Sequence, residues 1–321
     1  MTKAKVWFLA ITAALGGFLF GFDTIVINGA EQDIQKLWNL SGQMHGWVVS
    51  AALWGTVIGS IAGGKVSDRF GRKKTLLGVE AFPALLFTAL CPFLVESPRW
   101  LAERGMGNGE RGMGNGERAG FFCRANLRPI LLAFCVAFFN QLSGCNAVNY
   151  FAPRIFNLAG FERNAQFLAT FGLGLLNFAA TFTGVWLIDK LGRKTLLLVG
   201  GAGYVVALAM ASICFAVGNG PLAAASIFLF MAAHAVGQGT VIWVLIAEVF
   251  PQRFRAQGQA FGSFTHWFFA ALVALTFPMA AENVPAWAIF GFFGVMMVFH
   301  FLWALLVVPE TKGRQLEDIQ V

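Results

Sequence analysis

Uncharged, apolar residues run through this chain in long stretches, parted by short segments that hold most of the charge. Roughly 20 such residues cross a hydrocarbon core as an α-helix. By that measure the pattern predicts nine helices, over 6–30, 43–64, 76–95, 130–152, 165–188, 195–217, 221–247, 257–281 and 285–308. Gly218-Asn219-Gly220-Pro221 separates the sixth from the seventh as a turn signal. The second carries Gly55, Gly59 and Gly63 at every fourth position, a stripe that lets a neighbouring helix approach closely. The class that follows is all-α, a polytopic membrane protein.

Composition agrees. The chain is 57% hydrophobic and 12% charged, against about a quarter charged in soluble domains. The net charge is +7, but the Lys and Arg residues cluster between apolar runs, which reads as topology and not as a nucleic-acid stripe. Cys91, Cys123, Cys135, Cys145 and Cys214 form no CxxC pair, and no two histidines fall at i, i+4. No metal site or disulfide framework is therefore expected, and no cofactor. The absence of GxSxG and HExxH leaves a hydrolase reading without residues, so the chain is not expected to be an enzyme. Lys3 and Lys5 before an apolar run imitate a signal peptide, but the run is long, contains Asp23 and lacks a small-x-small cleavage site.

Asp23 sits deep in the first run, where a carboxylate costs roughly 2.5–3.5 kcal/mol on insertion scales. Residues that costly usually face a polar pathway for protons, ions or substrate; the alternative is that Asp23 reaches water near a helix end. Residues 105–118 are GMGNGER written twice, a flexible linker whose formal GxGxxG arises from the duplication and follows no strand. A second repeat says more. Asp68-Arg69-Phe70-Gly71-Arg72-Lys73 follows the second apolar run and Asp189-Lys190-Leu191-Gly192-Arg193-Lys194 the fifth. Two halves on one plan are what many transporter folds show.

These two loops resemble the cytoplasmic signature of the major facilitator superfamily, and further motifs narrow the resemblance to its sugar porter family. Gly21-Phe22-Asp23-Thr24 looks like the first-helix motif and Glu96-Ser97-Pro98-Arg99-Trp100-Leu101 like the mid-chain PESPRWL. Asn140-Gln141-Leu142-Ser143-Gly144-Cys145-Asn146 resembles the seventh-helix QQxSGIN, with Asn140 and Cys145 as departures. Trp243 through Arg255 and Pro309-Glu310-Thr311-Lys312-Gly313-Arg314 resemble the tenth-helix and C-terminal motifs. The family has twelve spans. Residues 78–101 resemble its sixth helix yet follow directly on the loop after the second, so the third to fifth helices are expected to be absent. The resemblance divides the chain into a truncated N-terminal bundle (1–104), a linker (105–128) and a C-terminal six-helix bundle (129–321).

Loss of three helices poses a topological problem. Lys3 and Lys5, Arg69 to Lys74, the arginines of the linker, Lys190 to Lys194, Arg253 and Arg255, and Lys312 and Arg314 all favour the cytoplasmic side. Segment 76–95 then has cytoplasmic signals at both ends. It is re-entrant or interfacial, eased by Glu80, Pro83 and Pro92; or it spans and inverts the C-terminal helices; or the chain is a deletion product that does not assemble normally. The charges favour the first, with both termini cytoplasmic in a cell membrane.

A sugar offers hydroxyls to hydrogen-bond and a C–H face to stack, so its site mixes amides with Trp. Gln141 and Asn146 point roughly 140° apart on an unbroken helix, and Gly144 between them permits the unwinding that brings both to one cavity. Gly237-Gln238-Gly239, before Trp243, marks a second close approach or break. The resemblance implies sugar contacts at Gln141, Asn146, Asn177, Trp243 and Trp267, and less directly at Asn140, Tyr150 and His266. It implies a proton-binding role for Asp23, whose family partner, an Arg on the fourth helix, is missing. It implies a cytoplasmic gate of ion pairs across the halves at Asp68, Arg72, Asp189, Arg193, Glu248 and Arg253. The expected function is monosaccharide transport, of a hexose or pentose, by alternating access, with proton-coupled ancestry; the alternative is a sugar-binding, transport-defective protein.

Overall fold

A computed structural model of the chain describes residues 27–70, 121–251 and 254–313, with side chains throughout these except at 61–70 and 125. Asp23, Arg72, Arg253, segment 76–95 and the duplicated heptamer lie outside the described residues, as does the side chain of Asp68. Ten helices carry the described fold: α1 (27–37), α2 (Gly42–Phe70), α3 (Leu127–Leu142), α4 (Cys145–Leu158), α5 (Arg163–Leu191), α6 (Arg193–Ala216), α7 (Gly220–Val236), α8 (Gln238–Val249), α9 (Arg255–Asn283) and α10 (Ala286–Leu306).

Among the described residues six segments are long and apolar enough to cross a membrane: Leu127–Leu158, Arg163–Leu191, Arg193–Ala216, Gly220–Val249, Arg255–Asn283 and Ala286–Leu306. They overlap the last six stretches that the apolar pattern predicts, with ends that differ by a few residues. Two are broken helices, α3 with α4 and α7 with α8. The Gly218–Pro221 signal forms the expected turn, with Gly218 at φ +72° and Asn219 Oδ1 accepting from the Leu222 amide at 3.2 Å. Helix α5 shows which solvent the bundle expects. Its Phe171, Leu175, Phe178 and Phe182 form an exposed i, i+4, i+7 stripe, a pattern that soluble helices turn inward and that hydrocarbon accepts.

Side chains from α4, α6, α7, α9 and α10 bury one apolar cluster around Phe151, Phe156, Tyr204, Phe230 and Phe290. A second, around Leu132, Val136, Leu197, Ile242 and Leu245, joins α3, α6 and α8. The linker expectation for 105–128 stops short of its end. Phe121 stacks on Phe250 at 5.6 Å between ring centroids and receives the Asn126 amide at 2.9 Å. Two adjacent aromatics, Phe121 and Phe122, give this end apolar surface to bury, which the Gly-rich heptamers lack.

Helix α2 lies along α9, its Val49, Leu53 and Val57 entering the first cluster. Contact is closest at Gly46, where a Cβ would stand 2.0 Å from the Leu275 carbonyl oxygen. At Gly55 and Gly59 no described atom lies within 4 Å of that position, so the expected small-residue stripe faces away from α9. Gly46→Ala is therefore expected to force α2 off α9 at about 1–3 kcal/mol, lowering the detergent thermal midpoint, while Gly55→Ala leaves it within the scatter of surface substitutions. Equal midpoints for the two variants would contradict this packing.

Candidate functional site

The polar centre sits where α3 stops and α4 starts. Gly144 adopts φ +83°, the left-handed region that residues with a Cβ avoid, and a Cβ there would meet the Phe293 ring at 2.5 Å. The one-residue kink redirects the chain so that Gln141 and Asn146, splayed on a continuous helix, converge. Asn146 Nδ2 donates to Gln141 Oε1 at 2.7 Å. Gln141 Nε2 donates to Asn140 Oδ1 at 2.8 Å and lies 3.1 Å from both ring nitrogens of His266. The Asn140 amide nitrogen is buried and has no hydrogen-bond partner among the described residues.

Aromatic walls close around this amide chain. The His266 ring stands 4.8 Å from Trp243 and 4.8 Å from Trp267, centroid to centroid, the latter pair edge-on. Trp243 is held by α8, which begins after the break at Gly237; His266 and Trp267 come from the middle of α9. The group lies between the two apolar clusters, Trp267 packing on the first and Trp243 on the second. Beside Trp243 opens a cavity of about 430 Å³ lined also by Val244, Ala247, Glu248 and Arg255. Hydrogen-bonding amides framed by indole faces are suited to a polyhydroxylated ring.

Of the sequence-predicted residues, the structure thus brings together Asn140, Gln141, Asn146, Trp243, His266 and Trp267. Tyr150 is buried one helical turn beyond Asn146 on α4, within the first apolar cluster. Asn177 is half-buried on α5, and no hydrogen bond links its side chain to the Gln141 chain. Sequence reading passed over two residues in this bundle. Gln238 Oε1 and both ring nitrogens of His300 are buried without partners among the described residues; an amide and an imidazole inside apolar runs were the available signal.

At the far end of α5, Arg193 grips Glu248 with two nitrogens, at 2.7 and 3.1 Å, and lies 3.5 Å from Asp189. Thr311 donates to the same carboxylate at 2.6 Å. Glu310 caps α6, accepting the backbone amides of Arg193 at 2.9 Å and Lys194 at 3.1 Å, where the helix dipole favours an anion. Asp189, Arg193 and Glu248 therefore pair with one another inside the C-terminal bundle; the cross-bundle partners expected of them, Arg72 and Arg253, lie outside the described residues.

The opposite end holds a cluster that sequence reading missed. Glu31 of α1 lies 3.1 Å from Arg154 of α4 and 3.2 Å from His45 of α2. Arg154 also donates to Gln35, and Gln35 donates to Glu282 of α9 at 2.9 Å. An exposed Arg163–Asp33 pair at 2.7 Å flanks it.

Comparison with known proteins supplies the family. The family described as "Sugar (and other) transporter" matches residues 109–321, and "Major Facilitator Superfamily" matches 13–103. The chain belongs to the sugar (and other) transporter family. A D-xylose transporter of Levilactobacillus brevis is 28% identical, covering 100% of this chain and 96% of the relative. An arabinose-proton symporter of Bacillus subtilis is 26% identical over 97% and 94% of the two chains. The structure of a proton:xylose symporter bound to 6-bromo-6-deoxy-D-glucose superposes with a TM-score of 0.85 at 23% identity, covering 99% of this chain and 98% of that one. The fold is the all-α, multi-pass fold of the superfamily, and the family is one of transporters, not enzymes.

Gly144→Ala is expected to straighten the α3–α4 junction and part Gln141 from Asn146. Sugar affinity should then fall at least tenfold in equilibrium titration of purified protein, more than for Gly160→Ala at the α4–α5 turn, which also has positive φ but open space around it.

Proposed function

We propose that this sugar transporter family member binds a monosaccharide at the Gln141-centred site and moves it across the membrane by alternating access. The observation that carries the reading is the hydrogen-bonded chain Asn146–Gln141–Asn140/His266, walled by Trp243 and Trp267 at the break between α3 and α4. Gln141, Asn146 and Asn140 hydrogen-bond sugar hydroxyls; Trp243 and Trp267 pack the C–H face; His266 orients Gln141. Tyr150 and Asn177 serve as outlying contacts. The cavity beside Trp243, ending at Glu248, is the substrate's route toward the Arg193–Glu248 end. That end is cytoplasmic, with Asp68, Arg72 and Arg253 completing the gate across the halves, and both termini lie on that side.

The relatives named for D-xylose and arabinose favour a pentose over a hexose. The arabinose relative, named as a proton symporter, favours Asp23 as the proton carrier in ancestry. The chain runs as a truncated N-terminal bundle, a linker and a C-terminal six-helix bundle. Its alignment with the Levilactobacillus protein extends over 439 positions for a chain of 321 residues, which supports the absence of the third to fifth helices. These features favour a second reading, a chain that binds sugar and does not transport it.

Three measurements separate the outcomes. Trp243→Ala should weaken xylose and arabinose binding to purified protein about tenfold or more, because a buried aromatic wall is lost; unchanged binding removes the site assignment. Uptake of labelled pentose into proteoliposomes, compared with a form carrying three restored helices, decides between transport and binding alone. Sugar-dependent acidification abolished by Asp23→Asn would establish proton coupling; uptake without acidification would refute it.

A further inference from the structure

The buried charge cluster at the end opposite Arg193 and Glu248 spans both parts of the molecule. Glu31 stands on α1 and His45 on α2, in the N-terminal part; Arg154 stands on α4, in the C-terminal bundle. Glu31 and His45 are 0% exposed, and Arg154 is largely covered. Hydrogen bonds fasten the same seam on either side, Asn28 donating to the Asn149 carbonyl and Gln35 to Glu282. Neither Glu31 Oε1 nor Arg154 Nε has a hydrogen-bond partner among the described residues. One carboxylate oxygen is thus sealed from water with nothing donating to it, so the charged form is disfavoured there and a proton on Glu31 lowers the cost of burial.

We propose that Glu31 is a protonation site that latches this end of the transporter shut, so that closing the α1–α4 seam takes up a proton and opening it releases one. The inference rests on the transporter reading only for the premise that this seam opens. Glu31 follows the first apolar run and borders the aqueous segment between α1 and α2. When the seam parts, its carboxyl meets water and returns to the ordinary carboxylate value of 4.5. In the closed form burial pushes it up to about 7, opposed by Arg154 and assisted slightly by Asp33. The groups facing it are Arg154 from α4, His45 from α2, Glu282 of α9 through Gln35, and Asp33 on its own helix.

The sign follows from linkage. Between the open-state and closed-state values only the closed form holds the proton. Acid therefore favours closure, fully below about 4.5, and the preference fades as pH rises through about 7.

The test reads distance, not sugar. Spin labels at Leu37→Cys and Val217→Cys, both exposed at this end, are placed in an otherwise cysteine-free full chain in nanodiscs and measured from pH 5 to 8.5. The closed, short-distance fraction is expected to rise as pH falls through about 7. Glu31→Gln, a permanently neutral isostere, should give the low-pH distance at every pH, while His45→Gln keeps the titration. Arg154→Gln, which removes the opposing cation, should move the midpoint to higher pH and serves if Glu31→Gln does not fold. A distance independent of pH in the unaltered protein, an unchanged titration in Glu31→Gln, or a titration abolished by His45→Gln instead would overturn the proposal. Loss of sugar binding with the titration intact would refute only the sugar site.

Discussion

A break in a membrane helix frees backbone groups that hydrocarbon cannot solvate, so a break survives only where protein supplies partners. The candidate site of this chain depends on how that requirement is met at Ser143-Gly144. Ser143 Oγ donates to the Asn140 carbonyl at 2.6 Å and accepts the Cys145 amide at 3.2 Å, and the Gly144 amide returns to the Gln141 carbonyl at 3.0 Å. The serine hydroxyl thus stands in for the helical bonds lost to the kink. With the backbone settled locally, the side chains of Asn140, Gln141 and Asn146 stay free to meet one another and a ligand. The left-handed glycine and the hydroxyl beside it form one device: the first turns the chain, the second makes the turn tolerable away from water.

The same accounting explains why the two ends of the bundle differ. At the Arg193 end each acidic side chain among the described residues has a donor. Glu248 takes Arg193 twice and Thr311 once, and Glu310 takes two helix-terminal amides. These bonds tie α6, α8 and the segment after α10 together within the C-terminal bundle. At the Glu31 end one oxygen is left over and the pairing crosses from α1 to α4. The first arrangement is a brace and the second a seam.

Much of this was legible in the sequence because hydrocarbon imposes so strict a pattern. Six apolar stretches became six spanning segments, and Gly144 between Gln141 and Asn146 announced both the break and the convergence it produces. Asn177 is less directly placed: it is half-buried on α5, whose Phe171, Leu175, Phe178 and Phe182 are exposed, and no hydrogen bond joins its side chain to the amide chain. Glu310 was visible as part of a motif, but its role as the cap of α6 depends on a contact 117 residues away. Glu31 and Arg154 were harder still. A charge beyond the end of an apolar run reads as topology, and only packing of α1 and α2 against α4 and α9 turns it into a buried pair.

That pair also bears on how a seam between bundles can work at all. A purely apolar seam gains from burial and resists parting; a buried ion pair gains much less. Desolvating a carboxylate and a guanidinium costs several kcal/mol each, and their attraction returns about as much. Opening the seam restores water to both, so the charged part of the contact leaves open and closed forms close in free energy. Alternating access needs that balance, since a state favoured by more than a few kcal/mol traps the cycle. The close backbone contact at Gly46 and Leu275 fixes the spacing of α2 on α9, Val49, Leu53 and Val57 add apolar burial along it, and the Glu31–Arg154 pair supplies register without a large net gain. A small free-energy difference of this kind can be tipped by a single proton, which a seam of leucines cannot.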